Sequence, residues 1–138
     1  TFANPSVKKH PSTRLNSSDY NFEEGNLIYH DTYFGDRDFI GEEIVYKDEK
    51  PTWGMNYYGY IFSNDVTNKE LGLFLEKSIM QEYSDIIPIR GPKEFSENNW
   101  MYRINIKGDL SRFSGEEEIL RDGRVVYRLS CFGGLIRS

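Results

Sequence analysis

The chain has 138 residues, a formal net charge of −5 and a pI of about 5.1, a balance that argues against a grip on a phosphate backbone, which needs clustered Lys and Arg. No apolar run approaches the roughly 20 residues of a membrane-spanning helix, so no membrane partner is expected. The single Cys131 excludes an intrachain disulfide and fits a reducing compartment, and the length suits one domain, 1–138, with a core of its own.

Residues 1–18 are polar and irregular; Pro5, Pro11 and the Ser/Asn cluster at 16–18 fit a loop or an extended arm laid over a sheet. From there the chain is organised by an internal repeat. Residues 39–62 return 74 positions later as 113–136 without a gap. Phe39, Gly41, Glu42, Glu43, Asp48 and Gly59 meet Phe113, Gly115, Glu116, Glu117, Asp122 and Gly133. Trp53 meets Tyr127, Met55 meets Leu129 and Tyr58 meets Phe132; upstream, Phe22, Asn26, Tyr29 and Gly35 match Phe95, Asn99, Tyr102 and Gly108 at an offset of 73. Such a repeat points to a duplicated structural unit.

Each copy reads as four strands. A short strand ends at Phe22 or Phe95 and is followed by a turn, EEGN or SENN, of residues that tolerate turn dihedrals. The second strand spans 27–34 or 100–107, the third 39–46 or 113–120, and the fourth 52–62 or 125–136. Between the last two lie the turns KDEK and RDGR; Asp122-Gly123 is a hairpin signal because a type I′ turn needs positive φ at both central residues. Pro51 can open its strand without costing a ladder donor.

Between the copies, Thr67 and Glu70 form a capping box in front of a helix over 68–83. Leu71, Phe74, Leu75, Ile79 and Tyr83 share one face at helical periodicity, and Lys69, Glu76, Lys77 and Glu82 can face water. Residues 86–93, broken by Pro88, Gly91 and Pro92, read as an extended connector. The organisation is thus copy one over about 19–62, helix and connector over 67–93, and copy two over about 94–136. The fold class is α+β: a duplicated unit of one helix plus a four-stranded antiparallel meander, about eight strands in all, the helix covering one sheet face. The two copies could form one curved sheet or two facing sheets. The first copy lacks a counterpart of the helix; a helix before residue 1 in the parent protein is favoured over a duplication that never included one.

Period-2 alternation sorts the strands into faces. Trp53, Met55, Tyr57, Gly59 and Ile61 share one, with Asn56, Tyr58 and Tyr60 on the other. Phe39, Gly41, Glu43 and Val45 share a face, matched by Phe113, Gly115, Glu117 and Ile119. Glu43 and Glu117 therefore sit among apolar neighbours, where a carboxylate must be hydrogen-bonded, paired or protonated. A desolvated Glu could act as acid or base. Alternatively a bulge at Gly41 and Gly115 turns both to solvent, or they pair structurally with Arg90 or Arg14. Tyr29, Asp31 and Tyr33 alternate onto one face, making Asp31 a candidate polar anchor in an aromatic cleft, or else a surface pairing group. Asn56 can fix a ligand amide or carbonyl, with Tyr58 on its face, or merely satisfy a strand. Arg90 suits a ligand carboxylate or phosphate, or holds the connector.

His10 and His30 are the only histidines and no ligand spacing is present, so no metal is expected. Cys131 has no activating neighbour, Gly133-Gly134 suits close backbone packing or a bulge, and no phosphate-binding, dinucleotide or nucleophile-elbow motif occurs. No cofactor is expected.

Several stretches resemble an uncharacterised bacterial domain-of-unknown-function family, found alone or C-terminal to an XRE-type helix-turn-helix in transcriptional regulators. They are Tyr29-x-Asp-Thr-Tyr33-x-Gly35, Phe39-x-Gly-Glu-Glu43, Pro51-x-Trp-x-Met-Asn-Tyr-Tyr-Gly59, Arg90-Gly-Pro92, Gly108-Asp109, Phe113-x-Gly-x-Glu-Glu-Ile119 and Gly133-Gly-x-Ile136. The resemblance covers nearly the whole chain. It implies a helix before residue 1 and a cytoplasmic, regulator-associated domain, and supplies no established activity. Family proteins often carry a His before the final Gly-Gly where this chain has Phe132, which weakens any role for that His. The chain contains no helix-turn-helix, so direct DNA binding by it is not expected.

Three functions follow in order. The first is a non-enzymatic small-molecule-binding or sensory domain, with Tyr29, Asp31, Tyr33, Glu43, Trp53, Asn56, Tyr58, Arg90 and Glu117 as ligand-binding candidates. The second is an enzyme using Glu43 or Glu117 as acid or base with a tyrosine or Asp31. The third is an oligomerisation module, a homodimer joined through unpaired edge strands.

Overall fold

The structure, a computed structural model, describes residues 8–81 and 90–138. Copy one forms β2 (Ser18–Glu24), β3 (Leu27–Gly35), β4 (Asp38–Lys47) and β5 (Lys50–Ile61), preceded by a short β1 (Lys8–His10). One helix, α1 (Asn68–Ile79), precedes copy two, which forms β6 (Glu94–Glu97), β7 (Trp100–Asp109), β8 (Arg112–Arg121) and β9 (Arg124–Leu135). All pairings are antiparallel, in one sheet of order β1-β2-β3-β4-β5-β9-β8-β7-β6. Of the two arrangements open to the sequence, one sheet is the outcome, with nine strands instead of eight. The extra strand arises because Lys8–His10, which has no apolar alternation to announce it, pairs with the otherwise open edge of β2.

The repeat is preserved to the level of single turns. Asp48 and Glu49 both have positive φ (51° and 66°), as do Asp122 and Gly123 (52° and 76°), so both hairpins close with the turn geometry that matches strand twist. Asn26 Nδ2 donates to Asp48 Oδ1 at 3.1 Å, and Asn99 Nδ2 donates to Asp122 Oδ1 at 3.0 Å, so each copy ties its two turns together with the same latch. A register shift falls between Val45 and Tyr46 and again between Ile119 and Leu120. The bulge is therefore not at Gly41 and Gly115, and Glu43 and Glu117 keep their inward direction.

β5 and β9 meet at the centre. Met55 pairs with Gly133, Tyr57 with Cys131 and Gly59 with Leu129. Since Met55 is equivalent to Leu129, Tyr57 to Cys131 and Gly59 to Gly133, this register is that of a pseudo-twofold axis passing through the Tyr57–Cys131 pair. A Cβ on Gly133 would lie 2.1 Å from the Gly54 carbonyl oxygen, so the central strands approach closely only because this position is glycine.

One face of the sheet carries the core: Met55, Tyr57 and Ile61 from copy one, with Tyr102, Ile104, Phe113, Ile119, Tyr127, Leu129 and Cys131 from copy two. The helix lays Leu71, Phe74, Leu75 and Ile79 on it, and Phe74 stacks on Phe95 (5.8 Å) and Trp100 (5.4 Å) of copy two. Each such side chain, fully buried, contributes about 1.5–3 kcal/mol. Thr67 caps α1 by accepting from the Glu70 amide at 3.1 Å. The reciprocal half of the capping box is replaced: the Glu70 carboxylate accepts from Arg121 Nη1 at 2.8 Å, a cross-element ion pair outcompeting the local bond. The helix ends at Ile79 with Met80 as its C-cap; the sequence-expected extension to Tyr83 and most of the connector lie outside the described residues. Arg37 fastens the start of the helix to copy one, donating to Val66 O, Asn68 Oδ1 and Ser63 O.

Candidate functional site

Two carboxylates, one per copy, sit on the core face at matching positions. Glu117 is fully enclosed. It accepts from Arg90 Nε (2.7 Å) and Nη2 (3.0 Å), Tyr102 OH (2.6 Å) and Tyr127 OH (2.8 Å), so both of its oxygens are doubly bonded. Glu43 is also buried; among the described residues it accepts from Tyr29 OH at 2.7 Å, with Arg90 Nη1 3.9 Å away. Arg90 thus lies between the two copies and leans to the second. Burial works against its charge, and the Glu117 carboxylate overrides that cost, holding its pKa above the ordinary arginine value.

Beside Glu43, across the β3–β4 ladder, stands Asp31. It is buried. Its Oδ1 accepts from Tyr57 OH at 2.7 Å, and its Oδ2 has no hydrogen-bond partner among the described residues. Burial, and then the nearby Glu43 charge, push the Asp31 pKa up from 3.8 to about 7. The same burial, with neighbouring carboxylates, raises the pKa of Tyr29 and Tyr57, so both phenols are donors at any ordinary pH. Gly41 makes this arrangement fit: a Cβ there would stand 2.4 Å from the Tyr57 hydroxyl and 2.6 Å from Tyr33 Cβ.

Asp31 lies in a cleft of about 140 Å³, walled by Tyr33, Phe39, Tyr57 and Leu75, with Arg90 inside and Asp36 at the exposed rim. Burial also lifts the Tyr33 pKa to about 12. A space of this size holds a group of about the bulk of a benzene ring. The corresponding positions of copy two are Ile104 for Asp31, Ile106 for Tyr33 and Cys131 for Tyr57, all apolar. Burial raises the Cys131 thiol to about 11, leaving it an un-ionised core residue.

The nine residues singled out from the sequence divide by place. Tyr29, Asp31, Tyr33, Glu43, Arg90 and Glu117 come together on the core face. Trp53 shares that face at its far end, where it stacks on Phe113 at 5.7 Å and donates from its indole to Leu110 O at 2.9 Å. Asn56 and Tyr58 point the other way, into an open groove of about 430 Å³ on the outer face, shared with Arg14, Ile40, Glu42 and Phe132. Arg14, one candidate partner for the glutamates, is thereby on the wrong side of the sheet to reach them. Alternation put Asn56 opposite Met55 and Tyr57, and the structure keeps that sorting.

Sequence reasoning did not single out Tyr57, Phe39 or Leu75 as site residues. The signal for Tyr57 was the contrast between copies, Tyr against Cys at a pseudo-symmetric position. It also missed a second polar cluster, on the outer face. Asp19 is wholly buried and accepts from Ser17 Oγ (2.5 Å), Thr13 Oγ1 (2.6 Å), Thr32 Oγ1 (2.7 Å), the Thr13 amide (3.2 Å) and His30 Nε2 (2.9 Å). Burial alone would raise its pKa; the side-chain bonds from Ser17, Thr13, His30 and Thr32 outweigh it and hold the carboxyl well below the ordinary range. This clasp fastens the segment after β1 over the sheet. Nothing local in a run of Ser, Thr and Asn distinguished it from a solvated loop.

Among the described residues no group of His, Cys, Asp and Glu is arranged to hold a metal ion, and no helix is long and apolar enough to cross a membrane. Comparison with curated proteins and with solved structures returned no match. A family model does match, over residues 31–136, beginning at Asp31 and running through both glutamates to the end of β9. The chain belongs to that family, the Domain of unknown function (DUF5680).

Proposed function

We propose that the domain binds a small molecule in the cleft at Asp31, and that it serves as the sensory part of a bacterial, cytoplasmic regulator. The observation that carries this reading is the buried Asp31 Oδ2, an acceptor with no partner among the described residues, on a residue that lines an aromatic-walled cleft. A buried polar atom left so costs about 1–3 kcal/mol, which a ligand donor would recover. The apolar replacements at the same positions of copy two support a specific role for the polar set in copy one. The sequence resemblance to regulator-borne domains supports the sensory half of the reading, with DNA binding supplied elsewhere.

Native mass spectrometry of the protein purified from its own host tests it. The expected result is a non-covalent mass, lost on denaturation and lost in Asp31→Ile, which gives the cleft the residue of copy two. An empty wild-type chain that also gives no cleft response in a small-molecule screen would overturn the reading.

An acid–base enzyme is the second reading, favoured by Asp31 and Glu43 lying side by side with a pKa for Asp31 of about 7, in the range useful for proton transfer at neutral pH. Turnover of a bound ligand, abolished by Asp31→Asn with binding retained, would favour it over sensing. A homodimer is supported by Ile40 and Phe132, 55% and 60% exposed on the outer face, more than by the edges, since β1 and β6 are only three and four residues long. Light scattering at high concentration would detect it, and a monomer would exclude it.

A further inference from the structure

Among the described residues the core face buries more carboxylates than cations. Three of them, Asp31, Glu43 and Glu117, are buried there, and Arg90 is the one buried cation among the described residues. Arg90 is committed to Glu117 by two short bonds and stands 3.9 Å from Glu43. The deficit falls on Asp31, whose only described donor is the neutral phenol of Tyr57. An ionised carboxylate in that position is expensive unless a cation joins it.

The walls suit a cation as well as the floor does. Three aromatic residues, Tyr33, Phe39 and Tyr57, are among those that line the space, and Asp36 adds a second carboxylate at the rim. Ring faces attract a positive group, by about 0.5–2 kcal/mol according to its desolvation. An anionic ligand would meet Asp31 and Asp36, with Arg90 already bonded to Glu117. A neutral ligand would leave the charge deficit as it is.

We infer that the cleft takes a ligand whose buried end is a single positively charged N–H donor, an ammonium or guanidinium on a short hydrocarbon or aromatic stem, bonded to Asp31 Oδ2. This rests on the reading of the cleft as a ligand site and assigns its ligand's charge. The chemistry follows without a covalent step: the cation donates to Oδ2, Tyr57 continues to donate to Oδ1, and the aromatic walls cover the stem.

Three probes of one shape and different charge test the assignment: n-butylammonium, n-butanol and n-butyrate, added to the full chain at about pH 8 and matched ionic strength, with backbone amide NMR as the readout. Butylammonium is expected to shift Asp31, Tyr57 and Leu75 at a concentration at least tenfold below that needed by butanol, and butyrate to leave them unmoved. Asp31→Asn is expected to weaken butylammonium roughly tenfold to a hundredfold, the span of a lost charge-assisted bond, and to leave butanol unchanged. Butanol or butyrate acting on these residues as well as butylammonium would overturn the charge assignment and leave a ligand cleft standing. No response of the cleft to any of the three would overturn both.

Discussion

The two glutamates of the repeat occupy one position in two copies and live in different surroundings. Glu117 has four donors, from Arg90, Tyr102 and Tyr127; Glu43 has Tyr29 and a distant edge of Arg90. Three substitutions make the difference. Tyr127 reaches Glu117, but its counterpart Trp53 turns its donor to Leu110 O. The polar Asp31 and Tyr57 of copy one answer to Ile104 and Cys131 in copy two. The single guanidinium, placed near the pseudo-axis, cannot serve both sides equally. Copy two is thus a finished core, and copy one keeps an unbalanced polar pocket on the same framework. A duplicated fold carries its own control: where the copies agree, structure explains the residue, and where they differ, something else is asked of it.

The largest test of that contrast is Glu117→Gln against Glu43→Gln. Removing the Glu117 charge strands a buried guanidinium, and urea denaturation should report a loss of about 3–5 kcal/mol. Glu43→Gln keeps an acceptor for Tyr29 and relieves Asp31 of a like charge, so its loss should stay near 1 kcal/mol. Equal losses would mean that Arg90 is shared evenly and that the asymmetry between copies is unimportant.

The two buried aspartates of copy one supply a sharper contrast, because their pKa values move in opposite directions. Asp19 is held below its ordinary value of 3.8, so the unfolded chain takes up its proton first. Its contribution is complete above that value and is lost as pH falls below it. Asp19→Asn should cost about 2 kcal/mol at pH 7, and the gap to wild type should close in acid. Asp31 is raised from 3.8 to about 7, so the folded chain holds that proton more tightly, and stability falls as pH rises between those values. Asp31→Asn removes the penalty. It should be more stable than wild type by about 1–3 kcal/mol at pH 8, with the advantage gone below pH 4, as read from thermal melts across pH. A variant less stable than wild type at pH 8 would show that Asp31 is satisfied in the free protein, and copy one would then be as complete as copy two.

Much of this is legible in the sequence. Period-2 alternation put Glu43 and Glu117 among the apolar residues of their strands and Tyr57 on the opposite face of its strand from Asn56, because side-chain direction in a strand is set by position alone. The repeat offset gave the four-strand units and both hairpin turns. The sequence could not reveal where Arg90 would stand, since a connector residue has no periodic direction and its choice of Glu117 over Glu43 depends on two tyrosines from other strands. Nor could it reveal β1 or the Asp19 clasp, which depend on polar residues finding partners far apart in the chain. One sheet or two was equally open, because the pairing of β5 with β9 is read from neither strand alone.

The smallest expected effect concerns the pair Trp53 and Tyr127, equivalent by sequence and divergent in use. Tyr127 is fully buried and donates to the ionised Glu117, where the bond is charge-assisted. Tyr127→Phe should cost about 1.5–3 kcal/mol in chemical denaturation, since a carboxylate oxygen loses a donor in a place water does not reach. Trp53 donates to a backbone carbonyl in the β7–β8 turn, near solvent, so Trp53→Phe should cost only about 0.5–1.5 kcal/mol, with stacking on Phe113 largely retained. Trp53→Tyr then completes the comparison, because it copies the donor of copy two into copy one. If its hydroxyl reaches Glu43, the glutamate gains the second donor that Glu117 already has, and the Asp31 titration seen by NMR should move down, its charged neighbour being better screened. If the Asp31 titration stays in place, the copies differ in backbone position as well as in side chain, and the polar pocket of copy one is built deeper into the sheet than one exchanged residue can undo.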